Sequence, residues 1–110
     1  MRYTGVIQEH NKLVRDNIPD IIADNGGVAH VRRIDGDREF IAELSKKLIE
    51  EAHEAAESLS LEELADVREV FDALAKVLGY SDQDIKSAMV QKAAKNGAFN
   101  NRIYLINTEN

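Results

Sequence analysis

The residues IEEAHEAAESLSLEELADV, at positions 49–67, contain the end of one amphipathic helix and the start of the next. Before this stretch, apolar residues recur at helical spacing, which predicts a first long helix over about 38–59. Ser60-Leu61-Glu62-Glu63 matches the S-x-x-E capping box, which predicts that a second helix begins there, and Gly79 ends it. Two helices joined this closely pack as antiparallel neighbours and usually complete a bundle with further helices.

The flanking sequence predicts smaller elements around this helix pair. Pro19 lies in the first turn of a short helix over 18–24, which Asn25-Gly26-Gly27 ends. Asp37 is the predicted N-cap of the first long helix. Ser81-Asp82-Gln83-Asp84 resembles another cap and opens a helix that runs to about Lys95.

The predicted fold is therefore all-α, a helical bundle that fills a single domain over residues 1–110. We also predict short β segments near residues 28–34 and 102–106, where β-branched and aromatic residues are frequent. Residues 1–10 are a candidate flexible segment.

Composition and charge limit the classes of protein that this chain can belong to. The chain has 110 residues, a net charge of −6 and no cysteine, so disulfides, thiolate metal sites and cysteine nucleophiles are excluded. An acidic balance argues against a nucleic-acid binder, and no apolar run is long enough for a membrane span. With no apolar leader visible at the start, we expect a cytoplasmic protein that binds neither nucleic acid nor membrane.

Acidic residues are concentrated in the middle of the chain and basic residues near its end. No acid occurs between Ile85 and Thr108, whereas this region contains Lys92, Lys95 and Arg102. Such a division suits an anionic ligand that carries a metal, but on charge alone two solvated helix faces of opposite charge are the simpler explanation.

Glu51 is the residue that amphipathic patterning does not explain. Leu44, Leu48, Glu51 and Ala55 fall within about 40° of one another on a helical wheel. A glutamate near the centre of a core-facing stripe is costly unless it is paired or bound to metal.

Further acids lie at the spacing that a shared carboxylate site requires. On a helix, side chains three or four residues apart have Cβ atoms about 5–6 Å apart. Two facing helices could therefore direct several carboxylates into one space, where Mg²⁺ would compensate their charge. The candidate ligands are Glu50, Glu51, Glu54, Glu63 and Asp66.

Structural roles compete with the metal-binding hypothesis for some of these residues. Glu63 is also the N3 acid of a capping box. Glu50 and Glu54 could be surface acids, because lysines lie within one turn of Glu50. His53 points away from the apolar stripe, and we predict that it lies on the surface.

The acidic motif resembles a known family of enzymes. EEAHE, at 50–54, followed by EELAD, at 62–66, resembles the pattern of the all-α nucleoside triphosphate pyrophosphohydrolases, which include MazG-like enzymes and phosphoribosyl-ATP pyrophosphohydrolase. NKLVRDNIPDII, at 11–22, and KNGAFNNRIYL, at 95–105, resemble the phosphoribosyl-ATP pyrophosphohydrolase-like branch. Asn17 departs from this pattern, where a lysine is expected.

The resemblance implies an activity, a cofactor and an oligomeric state. The expected reaction is cleavage of a nucleoside triphosphate between its α and β phosphates, with Mg²⁺, or Mn²⁺ as a substitute, bound by the motif acids. Glu51 or Glu54 would orient or deprotonate the attacking water. Homodimers or homotetramers are expected, in agreement with the wide apolar surface of the second long helix. The candidate phosphate-binding residues are Lys12, Arg15, Lys92, Lys95 and Arg102.

The sequence leaves two other functions open. The first is phosphoribosyl-ATP pyrophosphohydrolase activity in histidine synthesis, which the same motif allows. The second is a non-catalytic helical interaction module, for which the charges of Glu51 and Asp66 would have no metal-dependent role.

Overall fold

Four α-helices account for all the regular secondary structure in residues 5–109, the part of the chain that the computed structural model describes. The helices are α1 (Ile18–Asp24), α2 (Asp37–Ser58), α3 (Leu61–Val77) and α4 (Asp82–Asn96). The predicted all-α fold is thus confirmed. Residues 1–4 of the predicted flexible segment lie outside the described range. None of the described helices is both long and apolar enough to cross a membrane.

The chain divides into two compact units between Leu78 and Gly79. The first unit contains α1, α2 and α3, and the second contains α4 with the segment that follows it. Every residue of the second unit is exposed or half-buried up to Glu109. The single domain over 1–110 stays a prediction.

The predicted β segments are wrong for the described residues. Neither 28–34 nor 102–106 forms a strand, and no strand occurs anywhere in residues 5–109. A β-branched composition favours extended backbone, but a strand needs a hydrogen-bonded neighbour to satisfy its N–H and C=O groups. In addition, Arg102 has a φ of 56°, in the left-handed region, which interrupts an extended segment at its first residue.

Glycine and capping residues end the helices where the sequence indicates, with one correction at the start of α2. Gly26, Gly79 and Gly97 all have φ near +90°, just beyond the ends of α1, α3 and α4. Gly36, rather than the predicted Asp37, is the N-cap of α2, and Asp37 is the first helical residue. An acid in the first turn still interacts favourably with the positive end of the helix dipole.

Helices α2 and α3 pack against each other and enclose the core of the first unit. The most buried residues of the described chain are Leu44, Ala55 and Glu51, which are 3%, 5% and 8% exposed. All three lie on one stripe of α2. The predicted core-facing position of Glu51 is therefore confirmed, and it determines where a site can form.

A strained residue connects the two packed helices. Leu59 caps the C-terminal end of α2 with a φ of 55° and a ψ of 26°, and its N–H donates to the carbonyl of Ala55. In this left-handed conformation the Cβ atom crowds the backbone, at a cost of roughly 1–2 kcal/mol for a residue other than glycine. The side chain is 78% exposed, so packing offsets little of this cost.

We therefore expect Leu59→Gly to increase the free energy of unfolding, by roughly 0.5 kcal/mol after the greater entropy of the unfolded glycine is included. Urea denaturation followed by circular dichroism measures this change. Leu61→Gly is the matched control, because Leu61 is also exposed but lies in the first turn of α3. The control should lower stability, and a lower stability of Leu59→Gly as well would contradict the argument.

Candidate metal centre

The core stripe of α2 meets the first turns of α3 at three carboxylates. Glu51, Glu63 and Asp66 each offer one oxygen, and these three oxygens lie within 4.8 Å of one another. Glu51 is buried, and Glu63 and Asp66 are half-buried. We call these three residues the acid cluster.

The acid cluster contains two oxygens that lack a partner. Glu51 Oε2 and Glu63 Oε2 are buried and make no hydrogen bond with any described residue. A buried carboxylate oxygen without a partner is costly. The group contains neither cysteine nor histidine, so its oxygen-only donors fit a hard cation such as Mg²⁺ or Mn²⁺.

Helix capping explains why Glu63 is available to the acid cluster. At the start of α3 the Ser60 hydroxyl accepts from the Glu63 N–H at 3.2 Å, as the box predicts. The Ser60 N–H, however, donates to Ser58 Oγ at 3.4 Å rather than to Glu63. The carboxylate of Glu63 is therefore not used for capping and remains available to the acid cluster.

The charge on the acid cluster is unfavourable in the absence of a cation. Burial raises the pKa of the Glu51 carboxyl, and the negative charges of Glu54 and Asp66 raise it further, whereas Lys47 opposes this rise. Burial likewise raises the pKa of Glu63, followed by the charges of Glu54, Asp66, Glu51 and Glu62. Both shifts show that the folded chain disfavours the ionised cluster.

Two basic side chains pair with separate members of the acid cluster. Lys47 Nζ lies 3.6 Å from Glu51 Oε1, and both side chains are largely buried. Arg15 Nη2 donates to Asp66 Oδ1 at 2.7 Å. Arg15 is a predicted phosphate-binding residue, whereas Lys47 is a site residue that the sequence motifs did not indicate. Its position four residues before Glu51 was the available signal.

Other predicted site residues lie outside this group. Glu54 is exposed, although its charge acts on Glu51 and Glu63, and Glu50 is half-buried on the same helix. Lys12 is exposed in the segment that precedes α1. The basic residues Lys92, Lys95 and Arg102 are exposed in the second unit.

His53 is on the surface, as predicted, with its Nε2 atom 3.4 Å from Glu57 Oε1. This imidazole is 75% exposed and does not belong to the acid cluster. Among the described residues, the cluster is accordingly built from oxygen donors alone.

Comparison with known proteins adds no further assignment, because no family model, curated protein or solved structure matches the chain. The function must therefore be argued from the motifs and from the geometry of the acid cluster.

The raised pKa of Glu51 predicts how the stability of the metal-free protein depends on pH. A carboxyl whose pKa is higher in the folded chain than its ordinary 4.5 destabilises the fold when it is ionised. In EDTA, stability should therefore fall as the pH rises above about 4.5, and Glu51→Gln should reduce this fall. Urea denaturation between pH 4 and pH 8 measures both.

Glu57→Gln is the control for this experiment, since Glu57 is an exposed acid of the same helix and pairs with His53. Its pH dependence should match that of the wild type. If Glu51→Gln were also indistinguishable from the wild type, ionised Glu51 would not destabilise the fold.

Proposed function

We propose that this chain is a Mg²⁺-dependent nucleoside triphosphate pyrophosphohydrolase, which cleaves between the α and β phosphates. The observation that carries the proposal is the buried, unpartnered oxygen of Glu51 beside Glu63 and Asp66. This arrangement coincides with the two acidic segments that resemble the pyrophosphohydrolase motif. The substrate and the position of cleavage rest on that resemblance.

The acid cluster suits the binding of metal by this chain's own residues. Glu51, Glu63 and Asp66 would provide the ligands, and Mn²⁺ could replace Mg²⁺ because both prefer oxygen donors. A bound Mg²⁺ ion would neutralise charge that develops on the phosphate oxygens. Lys47 would keep Glu51 oriented through the pairing of its ammonium group with Oε1.

Glu54 is the better of the two candidates for accepting a proton from the attacking water. Glu51 is almost entirely buried, whereas Glu54 is exposed and lies near enough to affect the pKa values of Glu51 and Glu63. Water can reach an exposed carboxylate without a change in helix packing. We therefore assign Glu51 to metal binding and Glu54 to the proton transfer.

The first test is pyrophosphate release from a panel of ribo- and deoxyribonucleoside triphosphates, with Mg²⁺ and with EDTA. We expect metal-dependent release that Glu51→Gln lowers at least about 100-fold, because the variant loses a charged ligand. Glu57→Gln should retain wild-type activity. Thermal unfolding with and without Mg²⁺ shows whether each variant folds and binds metal.

The same experiment separates the two other functions. Activity on phosphoribosyl-ATP alone would place the chain in histidine synthesis. No activity on any of these nucleotides, together with no thermal stabilisation by Mg²⁺, would contradict the proposal and favour a non-catalytic interaction module.

We also propose that the chain forms a homodimer or homotetramer through α3. Leu64, Phe71 and Leu78 lie seven residues apart in succession, and they are 56%, 39% and 48% exposed. Apolar residues at one position of successive heptads form part of the seam between paired helices. In a dimer with a two-fold axis, a second copy would present the same row, and each row would cover the other.

Sedimentation equilibrium tests this proposal with the double variant Leu64→Gln and Phe71→Gln. We expect the wild type to associate and the double variant to be largely monomeric, with helical content retained in circular dichroism. Ile49→Gln is the control, because Ile49 is a 72% exposed residue of α2 outside the α3 row. A monomeric wild type would contradict the proposal.

A further inference from the structure

Arg15 connects the segment before α1 to the acid cluster. Its Nη2 atom lies 2.7 Å from Asp66 Oδ1, and its Nη1 atom lies 3.9 Å from Glu69 Oε1. Asp66 is 51 residues away in sequence, so this contact is a product of the fold rather than of a local turn. The guanidinium thus already occupies an oxygen of a proposed metal ligand.

The two basic side chains at the acid cluster, Lys47 and Arg15, differ in how exposed they are. The Lys47 side chain is only 17% exposed and belongs to the same helix as Glu51. The Arg15 side chain is 55% exposed and belongs to a segment outside α2 and α3. Arg15 can therefore leave its carboxylate without disturbing the packed helices, whereas Lys47 is largely buried where it pairs with Glu51.

Energetic considerations also favour the displacement of Arg15. An exposed ion pair contributes roughly 0–1 kcal/mol, so little free energy is needed to break it. A divalent cation bound to Asp66 would repel the nearby guanidinium. Phosphate can accept two parallel charge-assisted hydrogen bonds from that guanidinium, whereas Arg15 donates a single hydrogen bond to Asp66.

We propose that Arg15 is a displaceable counter-ion, which competes with the divalent cation for Asp66 and transfers to a phosphate group of the ligand when the metal binds. This inference rests on the proposed metal site and adds a mechanism by which metal and phosphate binding become coupled. Bound metal releases Arg15 from Asp66, and bound phosphate does the same by pairing with Arg15. Metal should therefore increase the affinity for phosphate, and phosphate the affinity for metal, by the same factor.

The test is a titration of the full chain with Mn²⁺ in the absence of nucleotide, with free Mn²⁺ measured by electron paramagnetic resonance. Arg15→Gln should bind Mn²⁺ roughly three- to fivefold more tightly than the wild type, the factor that loss of an exposed ion pair allows. Arg15→Lys retains the positive charge and should lie between the two.

Arg32→Gln is the matched control for the change in net charge. Arg32 is an exposed arginine that pairs with Glu39, outside the acid cluster, so its loss should leave Mn²⁺ affinity unchanged. Thermal unfolding in EDTA checks that each variant folds.

A second experiment measures the affinity for a phosphate ligand. Calorimetric titration with inorganic pyrophosphate at saturating Mg²⁺ should show weaker binding to Arg15→Gln than to the wild type. The same substitution is thus expected to strengthen metal binding and weaken pyrophosphate binding, a pair of opposite effects that general destabilisation does not produce.

Unchanged or weaker Mn²⁺ binding by Arg15→Gln would overturn the inference, and weaker binding would show that Arg15 orients Asp66 for the metal. In either case Mn²⁺ binding that Glu51→Gln abolishes would leave the proposed metal site standing. If the wild type did not bind Mn²⁺, both the proposed metal site and the proposed competition by Arg15 would be overturned.

Discussion

Burying the carboxylate of Glu51 costs free energy that the packing of α2 against α3 has to offset. Leu44 and Ala55 are the buried apolar residues of this stripe, so a small core has a charge near its centre. Lys47 compensates one oxygen of Glu51 and leaves the other without a partner. A cation bound at the proposed site would therefore stabilise the helix pair, because it would bind the folded state.

The capping-box sequences that begin at Ser60 and Ser81 show that the same motif can have different roles. At α4, the Ser81 hydroxyl accepts from the Asp84 N–H, and the Asp84 carboxylate accepts from the Ser81 N–H in return. At α3, only the first of these two hydrogen bonds forms, and Glu63 contributes to the acid cluster instead. Proximity to Glu51 and Asp66, which only the tertiary fold provides, distinguishes the two boxes.

Local signals in the sequence predicted most of the helical architecture, and long-range signals were harder to read. Helix ends follow from serine caps and glycines, which act within one turn. The β segments were wrong because strand formation depends on a partner that composition does not reveal. The position of Glu51 followed from helical periodicity. The contact between Arg15 and Asp66 could not be predicted from periodicity, since it joins residues 51 positions apart.

Electrostatics limits the kind of ligand that such a site can accept. Three carboxylates and two cationic side chains meet here, which leaves an excess of negative charge. A triphosphate alone would be repelled by this group, and a metal alone would meet the guanidinium of Arg15. A metal and a phosphate together satisfy both conditions, because the metal compensates the carboxylates while the phosphate receives Arg15. On the proposed function, this charge arrangement would favour a metal–phosphate complex over either component by itself.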